Sequence, residues 1–134
     1  IASGNLILDR SRRPSRAAIE AVVTDRFGFT SEAFIRSAPE VEAVVERSPW
    51  DPTEHLVEVS FLERSADPEA ARILEGMVGP PEGLVVDDRQ VYFLREGQGV
   101  ETRHKEATTA AVLEQETTRR GLATVVAIRN RFLR

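Results

Sequence analysis

Ser48-Pro49-Trp50-Asp51-Pro52 constrains the fold most, because proline lacks an amide donor and disfavours helical geometry in the residue before it. No helix runs through this stretch, and the chain reads as two units, residues 1–48 and 49–134. Beyond the break, His55, Val57, Val59 and Phe61 alternate with Leu56, Glu58, Ser60 and Leu62, as the two faces of a strand require. Asp67 caps the next helix, with Pro68 in its first turn and Ala70, Ala71, Leu74, Met77 and Val78 along its apolar stripe. Gly79-Pro80-Pro81 ends it. Leu84-Val85-Val86 and Val91-Tyr92-Phe93-Leu94, joined by Asp87-Asp88-Arg89-Gln90, form a predicted hairpin. A weakly amphipathic helix is expected from Arg103 to Arg120, stopped by Gly121, and a last strand from Leu122 to Ile128. The string β-α-β-β-α-β is the split βαβ unit, an antiparallel sheet carrying both helices on one face as a two-layer sandwich.

The first unit follows a related order. Leu6-Ile7-Leu8 reads as a short strand after a bend at Ser3-Gly4-Asn5. Ser15 caps a helix whose Ala18, Ile19, Val22, Val23 and Phe27 share one face, and Gly28 supplies the left-handed stop. Ala33-Phe34-Ile35 is expected as a strand. Ser37 and Glu40 make a capping box, with Pro39 in the first turn and Val41, Val44 and Val45 on the buried stripe. The fold class expected is α+β, two ferredoxin-like halves with antiparallel sheets, the first incomplete because no strand and helix precede Ile1. The stripe of Ala18, Ile19, Val22, Val23 and Phe27 then needs another cover, a partner chain or further residues, which leaves room for a homo-oligomer.

Composition excludes several classes of function. With 41% hydrophobic and 30% charged residues the balance is that of a soluble globular chain. Without cysteine there is no disulfide framework, no thiolate nucleophile and no Cys-ligated metal. No apolar run approaches the ~20 residues that span a bilayer, so no membrane partner is expected and the chain is read as cytoplasmic. The net charge of −4 weighs against nucleic acid, whose phosphate backbone calls for a concentrated cationic face. Basic character is local. Ala38 to Glu75 holds ten acids against three arginines, whereas Arg119 to Arg134 holds five arginines and no acid, and Arg10, Arg12, Arg13 and Arg16 cluster near the start.

Ser3-Gly4-Asn5 offers a flexible backbone, a hydroxyl and a carboxamide to a phosphate or nucleobase edge; the same residues also serve a bulge or turn. Arg129-Asn130 sets a guanidinium fork beside an amide, suited to an anion or to a C-terminal cap. His55 and His104 are the two groups that ordinarily titrate near neutrality, and neither lies in a metal or catalytic motif. Asp87-Asp88 reads as paired carboxylates or, far more commonly, as turn residues. Gly97-Gln98-Gly99 lacks a third glycine and a following lysine-serine, so it gives no nucleotide loop, and Lys105 is the chain's one lysine. Trp50 reads as a plug over the junction of the halves, and Tyr92 and Phe93, neighbours on one strand, cannot both face an open sheet.

The opening Ile1-Ala2-Ser3-Gly4-Asn5-Leu6-Ile7-Leu8 resembles the I-x-S-G-N strand of a bacterial domain-of-unknown-function family, number 1697. Arg26-Phe27-Gly28-Phe29, Arg36-Ser37, Leu56 to Leu62, Asp67-Pro68-Glu69-Ala70, Val91-Tyr92 and Arg129-Asn130 follow in that family's order. The strand, glycine loop and helix with which the family usually opens are absent, and Gly97 to Thr102 and Asn130-Arg131 depart from its G-x-G-R-S-K-L and R-N-W patterns. The resemblance implies two ferredoxin-like halves and no established activity.

The expected function is a non-catalytic module that binds a small anionic or nucleotide-like ligand, or a protein partner, at Ser3, Gly4, Asn5, Arg129 and Asn130, with no metal and no cofactor. Two alternatives stand beside it. One is an enzyme using an acid or histidine between the halves; the other binds RNA through an open sheet face.

Overall fold

The computed structural model describes residues 4–8, 14–97 and 99–133. Nine elements follow in chain order: α1 (Arg16–Phe27), α2 (Ala38–Glu46), β1 (Val57–Leu62), α3 (Pro68–Gly76), β2 (Gly83–Asp87), β3 (Gln90–Leu94), α4 (Glu106–Leu113), β4 (Thr117–Gly121) and α5 (Leu122–Phe132). The fold is α+β, five helices around one four-stranded antiparallel sheet of order β2-β3-β1-β4.

Helix starts follow local chemistry. The Ser15 hydroxyl accepts from the amide of Ala18 at 3.0 Å. Ser37 and Glu40 close the capping box in both directions, at 2.9 and 3.3 Å, and Asp67 accepts from Ala70 at 3.0 Å. Gly28 stops α1 in the left-handed region, φ +74°.

The alternation of β1 sorts the core into two clusters. Val57, Val59 and Phe61, with Tyr92 of β3, face Val44 of α2 and Leu122 and Val125 of α5. Leu62, with Val91 and Phe93 of β3 and Leu84 of β2, faces Leu74 of α3 and Leu113 of α4. Helices therefore cover both faces of the sheet, and the expected two-layer sandwich becomes three layers. Val44, from before the proline stretch, packs in the same cluster as Val57, Val59 and Phe61 after it.

Four further sequence expectations are corrected. The helix expected over 103–120 ends at Leu113, where Glu114 turns left-handed at φ +53°, and Thr117–Gly121 becomes the edge strand β4. The strand expected over Leu122 to Ile128 is helix α5, its buried positions Leu122 and Val125 one turn apart on one face. Leu6 to Leu8 and Ala33 to Ile35 lie outside any strand, because a strand persists only where a neighbour completes its ladder and none does among the described residues.

Candidate functional site

Arg36, just after the segment of Ala33 to Ile35, is held in place by the fold itself. Its guanidinium donates to the carbonyls of Ile35 (3.0 Å), Leu62 (2.8 Å) and Arg89 (3.0 Å), and it lies 5.2 Å over the ring of Phe61. These bonds clamp the end of β1 to the tip of the β2–β3 hairpin. The amides of Leu62 and Ala66 donate to the carbonyls of Arg89 and Asp88, at 2.8 and 3.0 Å, and Asp88 adopts φ +56° to make the turn. Asp88 is thus a turn residue, bonded to the hydroxyl of Ser65, whereas Asp87 is the last residue of β2, paired with Arg47 at 2.6 Å.

The start of α1 rests on this corner. Arg16 reaches Glu20 (2.7 Å), Glu63 (2.8 Å) and Glu116 (3.3 Å), with its guanidinium 5.0 Å from the Phe34 ring. Glu20 also accepts from the amide of Ala33 at 2.9 Å, and that bond, with the one from Arg16, holds its carboxyl below the usual range. Glu32, hydrogen-bonded to Glu116 and partly desolvated, is pushed the other way. Between these groups lies a cleft of about 210 Å³ lined by Pro14, Ser15, Arg16, Ile35, Arg36, Glu63 and Arg89. Three arginines from three parts of the chain meet in it beside the N-terminal end of a twelve-residue helix with no acid in its first turn. Arg89 is steadied from behind by Glu40.

A second polar cluster is matched in charge but not fully hydrogen-bonded: among the described residues, Glu58 Oε2 and Arg95 Nε are buried without a hydrogen-bond partner. Ser60, Thr117 and Arg119 all bond to Glu106; Arg119 also pairs with Glu58 at 2.8 Å, and Arg95 with Glu58 at 3.2 Å. Two carboxylates match two guanidinium groups, so the cluster staples α4 and β4 to β1. His104 sits beside it, 7% exposed, with Nε2 2.7 Å from the Thr109 hydroxyl and its ring 5.7 Å from Phe93. Burial, reinforced by the nearby charge of Arg119, pushes its pKa below the usual histidine value and favours the neutral imidazole.

Ser3 lies outside the described residues. The Gly4 carbonyl and the Asn5 side chain each accept from Arg120 of β4, both at 3.0 Å. Arg129 is on α5, 3.6 Å from Glu42 of α2, and donates to the Asn130 carboxamide at 3.1 Å. Among the described residues no hydrogen bond or ion pair joins Gly4 and Asn5 to Arg129 and Asn130. His55 is exposed. The arginine cleft has no sequence motif; its one legible trace is the basic cluster ending at Arg16.

Among the described residues no three histidines or acids are grouped to hold a metal ion, and no helix is long and apolar enough to cross a membrane. No curated protein and no solved structure matches the chain. The family described as protein of unknown function (DUF1697) matches residues 1–92, and the chain belongs to that family.

Proposed function

We propose that the chain is a binding module for a small phosphate-bearing anion, taken up in the cleft by Arg16, Arg36 and Arg89. The convergence of these three arginines on one cleft at the N-terminal end of α1, with Glu63 the one acid among the described lining residues, carries the reading. Planar guanidinium forks match phosphate oxygens two at a time, and a helix N-terminus adds amide donors and a favourable dipole. The fixing of Arg36 by three carbonyls reduces the ordering that binding costs. We further read β1-α3-β2-β3-α4-β4 as a ferredoxin-like half, supported by its antiparallel order β2-β3-β1-β4.

The alternatives find less support. RNA readers of the sheet type stack bases on exposed aromatics, whereas Tyr92 and Phe93 are 0% and 2% exposed under helices. The buried, neutral His104 is engaged by Thr109, away from the residues that line the cleft.

Thermal unfolding with inorganic phosphate, pyrophosphate and adenosine monophosphate tests the reading. A ligand at one hundred times its dissociation constant adds about 2.7 kcal/mol to the unfolding free energy, a shift of several degrees. At least one of the three is expected to stabilise the wild type and to lose its effect in Arg89→Gln. Absence of any shift rejects the proposal. Loss of the shift in Asn5→Ala or in the Arg129→Ala/Asn130→Ala double variant, with Arg89→Gln unaffected, moves the site to the positions singled out from the sequence.

A further inference from the structure

Among the described helices, α1 alone buries no residue: Val22 and Phe27 on its apolar side are 60% and 68% exposed. Neither core cluster includes a side chain from it. A free helix of about twelve residues is marginal in water, so α1 depends on whatever holds it to the body. The hydrogen bonds and ion pairs that do so gather at one end, with Ile19 and Val23 only half-buried along the helix. Arg16 spans to Glu63 after β1 and to Glu116 before β4, and Glu20 takes the amide of Ala33. Glu63 and Glu116 are 42% and 62% exposed, so solvent and salt reach both pairs. The chain leaves α1 through Gly28, and Arg36 independently fastens the following segment to β1 and the hairpin.

We propose that α1 is an electrostatic latch, closed by Arg16 on Glu63 and Glu116, and that release of Arg16 detaches the helix while the sheet and its four other helices stay folded. The pivot lies between Gly28 and Ala33. Detachment uncovers neither core cluster, which is why the body survives it. Pro14, Ser15 and Arg16 form one wall of the cleft, so an open latch leaves the cleft open on that side; this one consequence rests on the binding reading above.

Limited trypsin digestion of the full chain without phosphate tests the latch, with cleavage after Arg26 in α1 compared with cleavage after Arg72 in α3. Raising sodium chloride from about 0.01 M to about 1 M shortens the screening length from about 30 Å to about 3 Å. The Arg26 to Arg72 ratio is expected to rise about fivefold, the scale set by two exposed ion pairs. Arg16→Gln, and separately the Glu63→Gln/Glu116→Gln double variant, are expected to show the raised ratio at low salt and little further rise. A ratio unmoved by salt and by both variants overturns the proposal. So does a parallel collapse of the Trp50 fluorescence signal, which would make α1 an integral part of the fold.

Discussion

The Tyr92 hydroxyl crosses from β3 to the carbonyl of Val44 in α2, 2.6 Å away. That carbonyl belongs to the last turn of α2, where the amide of Ser48 turns instead to Val45, so Tyr92 supplies the missing donor. Burial holds its ionisation well above the usual range for a phenol, and the hydroxyl stays a donor. Tyr92→Phe keeps the ring and orphans the carbonyl, and is expected to cost about 1–3 kcal/mol in urea denaturation followed by Trp50 fluorescence. His104 makes the complementary case for pH. Its folded pKa lies below the ordinary 6.5, so as pH falls through that value the unfolded chain takes up the proton first and stability drops. The denaturation midpoint of the wild type is expected to fall from pH 7 to pH 5 more steeply than that of His104→Gln, whose amide keeps a partner for Thr109. Equal slopes would show that His104 is not the group responsible.

Element by element, what could be read from the chain is what depends on a few neighbouring residues. The caps at Ser15, Ser37 and Asp67 and the alternation of β1 need no distant partner, and all are found. The region from 103 to 132 defeats the same method. Thr117 and Thr118 are β-branched and favour a strand, yet an edge strand with a polar, half-buried pattern is settled by its pairing with β1, which no local pattern announces. Leu122 to Ile128 is apolar enough for either period; docking against α2 buries Leu122 and Val125 and leaves Ala123 and Thr124 outside. Trp50 shows a further tertiary constraint. A Cβ added at Gly83 of β2 would lie 2.7 Å from Trp50 Cζ2 and 3.5 Å from Leu94 Cβ. Alanine ordinarily suits a strand better than glycine, so the sign is decided by whether the indole can move. Trp50 packs against the cluster of Val44, Val57 and Tyr92, and Gly83→Ala is expected to cost about 1–3 kcal/mol with a shift in tryptophan emission. An unchanged midpoint would mean that the indole yields freely.

At the scale of the molecule, the accessible area of 8661 Å² exceeds the roughly 7,000 Å² that a compact monomer of this mass exposes. Leu6, Val22, Phe27 and Phe29, all before α2, are between 49% and 68% exposed and account for part of the difference. The cleft is a product of the same scale. Arg16, Arg36 and Arg89 meet only because the capped α1, the clamp of Arg36 and the hairpin tip converge, and no local motif announces that meeting. The carboxylates around Arg16 give this corner its own pH response. Glu32 has a folded pKa above the ordinary 4.5, chiefly because its protonated carboxyl hydrogen-bonds Glu116, so lowering the pH toward that value favours the folded state. Glu20 has a folded pKa below 4.5, so lowering the pH further protonates the unfolded chain first and stability is lost. Glu63 and Glu116, the other acids facing Arg16, are common to every variant compared. Hydrogen exchange of the α1 amides, corrected for intrinsic rates, is therefore expected to show greatest protection near pH 4.5 and less on either side. Glu32→Gln should flatten the limb above that pH and Glu20→Gln should shrink the limb below it. Protection that rises steadily from pH 4 to pH 7 would show that protonation of Glu32 beside Glu116 does not hold α1 to the body.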